Sequence, residues 1–174
     1  MAAEETLPVG AGGGEYELRQ LRLEDHQKGY APLLAQLTDV GDLTEARFAE
    51  VFSFRQRLAE VYRTLVVEHI ASQRIVATGT LVIEAKFVHG GSQVGHVEDI
   101  VVDEDHRKKG LARELMEGLA EAARVAGCYK VILDCKPENA PFYERCGYRR
   151  CECQMRLDIP SDVLSPTRSR APEP

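Results

Sequence analysis

The stretch Val97-Glu98-Asp99-Ile100-Val101-Val102-Asp103-Glu104-Asp105-His106-Arg107-Lys108-Lys109-Gly110-Leu111-Ala112 decides how this chain is read. An apolar strand runs into an Arg-x-x-Gly-x-Ala turn, and the turn opens a long amphipathic helix. That helix, about Leu111–Ala126, carries Leu111, Leu115, Leu119, Ala122 and Ala123 on one stripe. A glycine turn at a helix start presents unpaired backbone N–H groups at the positive end of the helix dipole, which suits a pyrophosphate. Arg107, Lys108 and Lys109 add positive charge at the same point.

Beyond this helix, Gly127 reads as a left-handed cap. Lys130–Asp134 reads as a short strand in which Val131, Ile132 and Leu133 run without alternation, as in a strand covered on both faces. Pro141 begins a short helix through Cys146, with Gly147 after it, and Tyr148–Leu157 closes as a strand. Upstream, Tyr16–Leu23 alternates as a first strand, and a first helix runs from Glu24-Asp25 to Leu37. A second helix follows a Thr44 cap, with Phe48, Val51, Phe52 and Leu58 at helical spacing. Tyr62–Ile70 and Ile75–Val88 are strands joined by the polar turn at 71–74, and His89-Gly90-Gly91-Ser92 turns into Val94–Val102.

The order β-α-α-β-β-β-α-β-α-β is mixed α/β, and one parallel crossover holds the glycine turn. A single domain is expected over 15–159. Residues 1–14, rich in Ala and Gly, and the proline-rich tail 160–174 are expected to be disordered.

With 174 residues, 44% hydrophobic and 29% charged, the chain has the composition of a globular domain large enough for a substantial core. A net charge of −6 argues against a general nucleic-acid binder, so any anion site must be a local basic cluster. No apolar run approaches a membrane span, so no integral membrane contact is expected, and the acidic start at Glu4-Glu5 is not a secretory signal. Five cysteines without a Cys-x-x-Cys read as reduced structural thiols, which fits the cytoplasm.

Further blocks stand in order along the chain: Gln36-Leu37-Thr38, Lys86-Phe87-Val88-His89, Glu98-Asp99-Ile100, Cys128-Tyr129-Lys130, Leu133-Asp134-Cys135, and Asn139 with Phe142-Tyr143-Glu144 and Gly147-Tyr148. Together with the glycine turn they resemble the GNAT N-acetyltransferases over about residues 16–157. Within that family they are similar to members that acetylate an amino-sugar phosphate. The resemblance implies a single-domain GNAT fold, a mostly antiparallel mixed sheet flanked by helices, with strands splayed at the acetyl-CoA site. It also implies acetyl-CoA as co-substrate, small-molecule substrates, no metal, and a homodimer that shares the C-terminal strand.

An amine that attacks a thioester needs to be neutral, and the reaction needs a donor for the carbonyl oxygen and a proton for the departing sulfur. The resemblance implies that the N–H of Ile100, exposed by a strand bulge, meets the thioester oxygen, and that Tyr143 points its hydroxyl at the sulfur. By residue type alone Tyr143 is also readable as a core aromatic, with Phe142 the better core candidate. Val101, Val102, the turn Arg107, Lys108, Lys109, Gly110, Leu111, Ala112 and Arg113, and Asn139 are the implied cofactor contacts.

Glu98 and Asp134 are the implied amine-side carboxylates, although acidic residues after apolar strands are also common as caps. A buried Asp134 would be costly without a partner. Asp99 is expected to order the bulge. A sugar phosphate carries about two negative charges at neutral pH, and Lys86, His89 and Lys130 are the cations carried over for it. Phe87, Val88 and Tyr129 lie beside them, and Thr38 corresponds to a sugar-contacting hydroxyl. His26, His69, His96 and His106 suggest neither a metal nor a triad.

Two departures from the family pattern stand out. Ala112 replaces a frequent glycine, and the closing segment lacks a terminal basic residue that Arg156 would have to replace. The competing readings are an acetyltransferase for a protein amine, which predicts an open acidic groove, and an acyl-CoA-binding module without turnover, which predicts a broken site.

Overall fold

Five strands lie side by side in chain order: β1 (Tyr16–Gln20), β2 (Tyr62–His69), β3 (Arg74–Ala85), β4 (Gln93–Val102) and β5 (Cys128–Leu133). The first four pair antiparallel and β5 joins β4 in parallel. The computed structural model describes residues 14–159. The expectations for residues 1–13 and 160–174 lie outside the described residues.

Alternation along β2 shows why the sheet is covered on both sides. Leu65 and Val67 face one core with Leu81 and Val97, while Val66 between them faces a second core with Ile75 and Val101. Helices α1 (Tyr30–Ala35) and α2 (Glu45–Arg57) cover the second side through Tyr30, Leu33 and Phe48. Helix α3 (Leu111–Val125) covers the first with the predicted stripe, to which Met116 is added. The Thr44 cap is present: its hydroxyl accepts from the Arg47 N–H at 3.2 Å. A fourth helix, α4 (Ala140–Arg145), starts after Asn139.

Three expectations are corrected. The first helix is broken into a 3-10 turn at Leu23–His26 and the short α1. Asp25 there is fully buried and turns its carboxylate to Arg19 at 2.7 Å, and Gly29, at φ 87°, directs the chain into α1. Second, β5 is not covered on both faces. It lies at the sheet edge with α3 against one face, and Tyr129 and Ile132 are exposed. Third, the segment from Tyr148 to Leu157 is not a strand in this single chain. It pairs with no strand among the described residues, and Glu152, at φ 51°, interrupts any extended run.

The feature that positions the site is a bulge in β4. Thr80 faces Glu98 but Thr78 faces Val101, so β4 carries one residue more than β3 across this stretch. Asp99 absorbs it in the left-handed region, at φ 55°.

Candidate active site

Strands β4 and β5 pair only as far as Val97 and Leu133. From there they part, and the next residues on each side of the opening are Glu98 and Asp134. Asp99 and Ile100 have no partner in the β3 ladder either, so the Ile100 N–H lies at the bulge, where β5 has already diverged. The bulge packs because of Gly79, which sequence reasoning did not single out. A β-carbon on Gly79 would collide with Ile100 Cδ1 and come within 3.1 Å of Leu119. A glycine inside a strand is the available signal, since it marks close approach of a neighbour.

The turn before α3 has two left-handed residues, Lys108 at φ 64° and Gly110 at φ 86°. The Gly110 carbonyl accepts from the N–H groups of Arg113 and Glu114 at 3.0 and 3.1 Å. Helix geometry leaves those of Leu111 and Ala112 without an intrahelical acceptor. A β-carbon added to Gly110 meets nothing within 4 Å. The turn therefore borders open space beside free donors, the form that a phosphate cradle requires.

The neighbouring cations divide their roles. Arg107 Nε donates to the Val102 carbonyl at 3.1 Å and ties the turn to β4. Lys109 Nζ donates to the Tyr16 hydroxyl at 2.7 Å and is directed to β1. Arg113 donates to the Arg145 carbonyl at 3.0 Å and holds α4 against α3.

That contact sets Tyr143. Its ring packs edge-on against Phe142 and Tyr148, at 5.0 and 6.2 Å between centroids. Both Phe142 and Tyr143 also border the α3-side core. Burial, with the Cys135 and Cys146 thiols nearby, pushes the Tyr143 hydroxyl above the usual phenol range, so it stays protonated at neutral pH. Tyr148, also buried, is pushed up to about 12 and its hydroxyl has no partner among the described residues.

On the other side of the opening, burial and the charges of Asp99 and Asp134 raise the Glu98 carboxyl above its ordinary range. The Gln154 amide reaches back from the C-terminal segment and donates to Asp134 at 3.0 Å. Gln36, at the end of α1, donates to Asp103 at 3.0 Å and accepts from the Glu104 N–H at 2.9 Å. This clamp ties the end of α1 to the turn after β4, two residues before Thr38.

The three predicted phosphate cations do not form one cluster. The His89 ring lies tilted against Tyr129, 4.6 Å between centroids, and Lys130 lies over the same Tyr129 ring at 5.6 Å. Lys86 instead binds Glu84 at 2.6 Å. Lys130 pairs with Val94, and the four residues from there to Asp134 span about 13 Å of strand. Phe87 and Val88 are exposed in the turn between β3 and β4. Arg156 binds Asp158 at 2.7 Å in the exposed C-terminal segment.

Comparison with known proteins follows this geometry. The acetyltransferase (GNAT) family model matches residues 17–148. A probable glucosamine 6-phosphate N-acetyltransferase 2 of Oryza sativa subsp. japonica is 44% identical over 86% of this chain and 91% of its own length. The glucosamine 6-phosphate N-acetyltransferase of Candida albicans is 41% identical over 82% of this chain and 92% of its own. The crystal structure of glucosamine-6-phosphate N-acetyltransferase from Arabidopsis thaliana superposes with a TM-score of 0.82 at 38% identity, over 83% of this chain and 99% of that one.

Proposed function

The chain belongs to the acetyltransferase (GNAT) family, and we propose that it transfers the acetyl group of acetyl-CoA to the amine of D-glucosamine 6-phosphate. The products are N-acetyl-D-glucosamine 6-phosphate and CoA, a step toward UDP-N-acetylglucosamine. The observation that carries the reading is the opening between β4 and β5, with Glu98 on the β4 side, Asp134 on the β5 side and the bulged Ile100 in its wall. The printed names of the relatives support the choice of amine.

Acetyl-CoA supplies a thioester carbon for the amine to attack and a thiolate that leaves. Glu98, its carboxyl raised by burial and by Asp99 and Asp134, takes the ammonium proton, and Asp134 orients the sugar. The Ile100 N–H donates to the carbonyl oxygen as charge develops there. Tyr143, kept protonated, donates to the sulfur. The N–H groups of Leu111 and Ala112, with Lys108 beside them, hold the pyrophosphate, and Val101, Val102 and Asn139 line the rest of the cofactor path. Thr38 holds the sugar, and its phosphate is received by His89 and Lys130, which share the Tyr129 ring, and by Lys86 once it leaves Glu84.

Gly110→Val puts a branched side chain into the open space of the turn, at a φ that costs an L-residue about 1–2 kcal/mol. The expected result is an acetyl-CoA dissociation constant raised about tenfold or more, with the affinity for the sugar unchanged. Calorimetry with acetyl-CoA checks it, and an unchanged constant would remove the turn from the cofactor site.

The protein acts as a homodimer through its C-terminal segment in this reading, and it works in the cytoplasm, consistent with five free cysteines. Met155 and Leu157 are 88% and 85% exposed, and the outer edge of β5 pairs with no strand among the described residues, an unfavourable state for both. Light scattering at micromolar protein is expected to give a dimer, and a monomer would contradict it.

The whole reading is tested by release of free thiol from acetyl-CoA on addition of glucosamine 6-phosphate, with the acetylated sugar identified by mass spectrometry. Thiol release with a lysine peptide and not with the sugar would overturn the substrate.

A further inference from the structure

The side-chain amide of Gln36 is a fork with both prongs engaged. Its Nε2 donates to Asp103 Oδ2 at 3.0 Å, and its Oε1 accepts the Glu104 N–H at 2.9 Å. The partners fix which way the amide points, because a carboxylate accepts and a backbone N–H donates. Asp103 is buried, and each of its polar atoms is taken. Its N–H donates to the Val76 carbonyl at 2.8 Å, and its carbonyl accepts the His106 N–H at 2.9 Å. Its Oδ1 accepts the Asp105 N–H at 3.1 Å, which leaves Oδ2 for Gln36.

The two ends of the fork serve different substrates. On the α1 side, the N–H groups of Leu37 and Thr38 both donate to the Leu34 carbonyl, at 2.9 and 3.2 Å. Thr38 therefore rides on the same turn as Gln36, and residues 39–44 beyond it form no helix or strand. On the β4 side, the chain runs from Asp103 to Arg107, which ties back to Val102, and on to Gly110. Among the described residues, no other side-chain hydrogen bond joins residues 30–44 to residues 103–113. Gln36 is itself exposed, so it contributes these two bonds and little packing.

The geometry points to Gln36 as a positioning residue for both substrates: its amide holds the segment that carries Thr38 against the turn that leads to Gly110. This rests on the proposed placement of the sugar at Thr38 and of the pyrophosphate at the turn. A binding segment that is already ordered costs less to order when its ligand arrives. One fork thus supports affinity on both sides, and its loss is felt by both substrates.

The test exchanges donor and acceptor. Gln36→Glu sets a carboxylate against the Asp103 carboxylate, and Asp103→Asn turns a donor toward the Gln36 donor. Each change breaks one bond, and their effects on net charge are opposite. Together they restore the pair with its polarity reversed, at the wild-type charge. Gln36→Met removes both bonds without adding charge and leaves the buried Asp103 in place. KM for acetyl-CoA, KM for glucosamine 6-phosphate and kcat are measured by thiol release, beside a thermal melt.

Each single variant is expected to raise both KM values about threefold to tenfold, the scale of one hydrogen bond, with kcat near wild type. The double variant is expected to return both KM values toward wild type. Unchanged KM values in Gln36→Glu or Gln36→Met, a rise for one substrate alone, or a folded double variant worse than either single would overturn the role. Each of these leaves the acetyl-transfer reading intact. A wild type that does not turn over glucosamine 6-phosphate would overturn the substrate reading and this role with it.

Discussion

Tyr143→Phe is expected to lower kcat about 10²-fold, the typical cost of losing one donor that acts in the transition state, while KM for the sugar and for acetyl-CoA stays near wild type. The substitution keeps the ring, and with it the edge-on contacts to Phe142 and Tyr148 and the packing against the α3-side core. Only the hydroxyl disappears. Its pKa, raised by burial above the usual phenol value, means that the wild-type group is a hydrogen-bond donor throughout the neutral range. A fall in kcat and kcat/KM together is the signature of an interaction made in the transition state alone. Steady-state kinetics beside a thermal melt separates this from misfolding. Wild-type turnover would reduce Tyr143 to packing.

The largest stability effect is expected away from the site. Arg19, Asp25 and Glu68 form a buried ion network. Arg19 meets both oxygens of Asp25 at 2.7 Å and Glu68 Oε2 through Nε at 3.1 Å, and Lys28 closes it on Glu68 at 2.6 Å. Asp25 is completely buried and also accepts the Arg22 N–H at 2.8 Å. Asp25→Ala would leave a buried guanidinium half-paired, and breaking one partner of such a pair costs about 3–5 kcal/mol. Urea unfolding should show the midpoint fall with little change in slope. A change under about 1 kcal/mol, the scale of an exposed pair, would show that solvent reaches the network. Burial works to raise the Glu68 carboxyl, yet the bonds from Lys28 and Arg19 outweigh it and hold the group below its ordinary range. A depressed carboxyl adds stability above its unfolded pKa that is lost as pH falls through the folded one, so this corner is expected to be acid-sensitive.

The α3 stripe and the turn before it were legible because both signals are local: helical period in one case, a left-handed glycine at a helix start in the other. The Asp99 bulge was implied by the resemblance, but its physical cause is not local. It depends on the register of β4 against β3 and on the missing side chain at Gly79, a residue 20 positions earlier in the chain. Val131-Ile132-Leu133 was misread as doubly covered because a continuous apolar run says nothing about how many neighbours a strand has. In the fold, α3 covers one face of β5 and the other lies open. The segment Tyr148–Leu157 has strand composition, but a strand exists only with a partner, and none is found among the described residues of the single chain. The break at Gly29 was missed because the first helix was read as continuous from Glu24-Asp25 to Leu37, while the buried bond of Asp25 to Arg19 is a contact that the sequence does not display. His96 reads as a surface or structural histidine, and in the fold its ring bonds Glu84 across the β3–β4 pair.

The central claim, that the acceptor is a phosphorylated amino sugar, is tested most directly by the specificity constants for glucosamine 6-phosphate and for unphosphorylated glucosamine under one set of conditions. A charge-assisted contact to phosphate contributes about 1.5–3 kcal/mol, and the loss of two such contacts predicts a preference of at least about 10²-fold for the phosphorylated sugar. Lys86→Ala should narrow that ratio by weakening the phosphorylated substrate while leaving plain glucosamine nearly unchanged. Equal specificity constants for the two sugars would contradict the account.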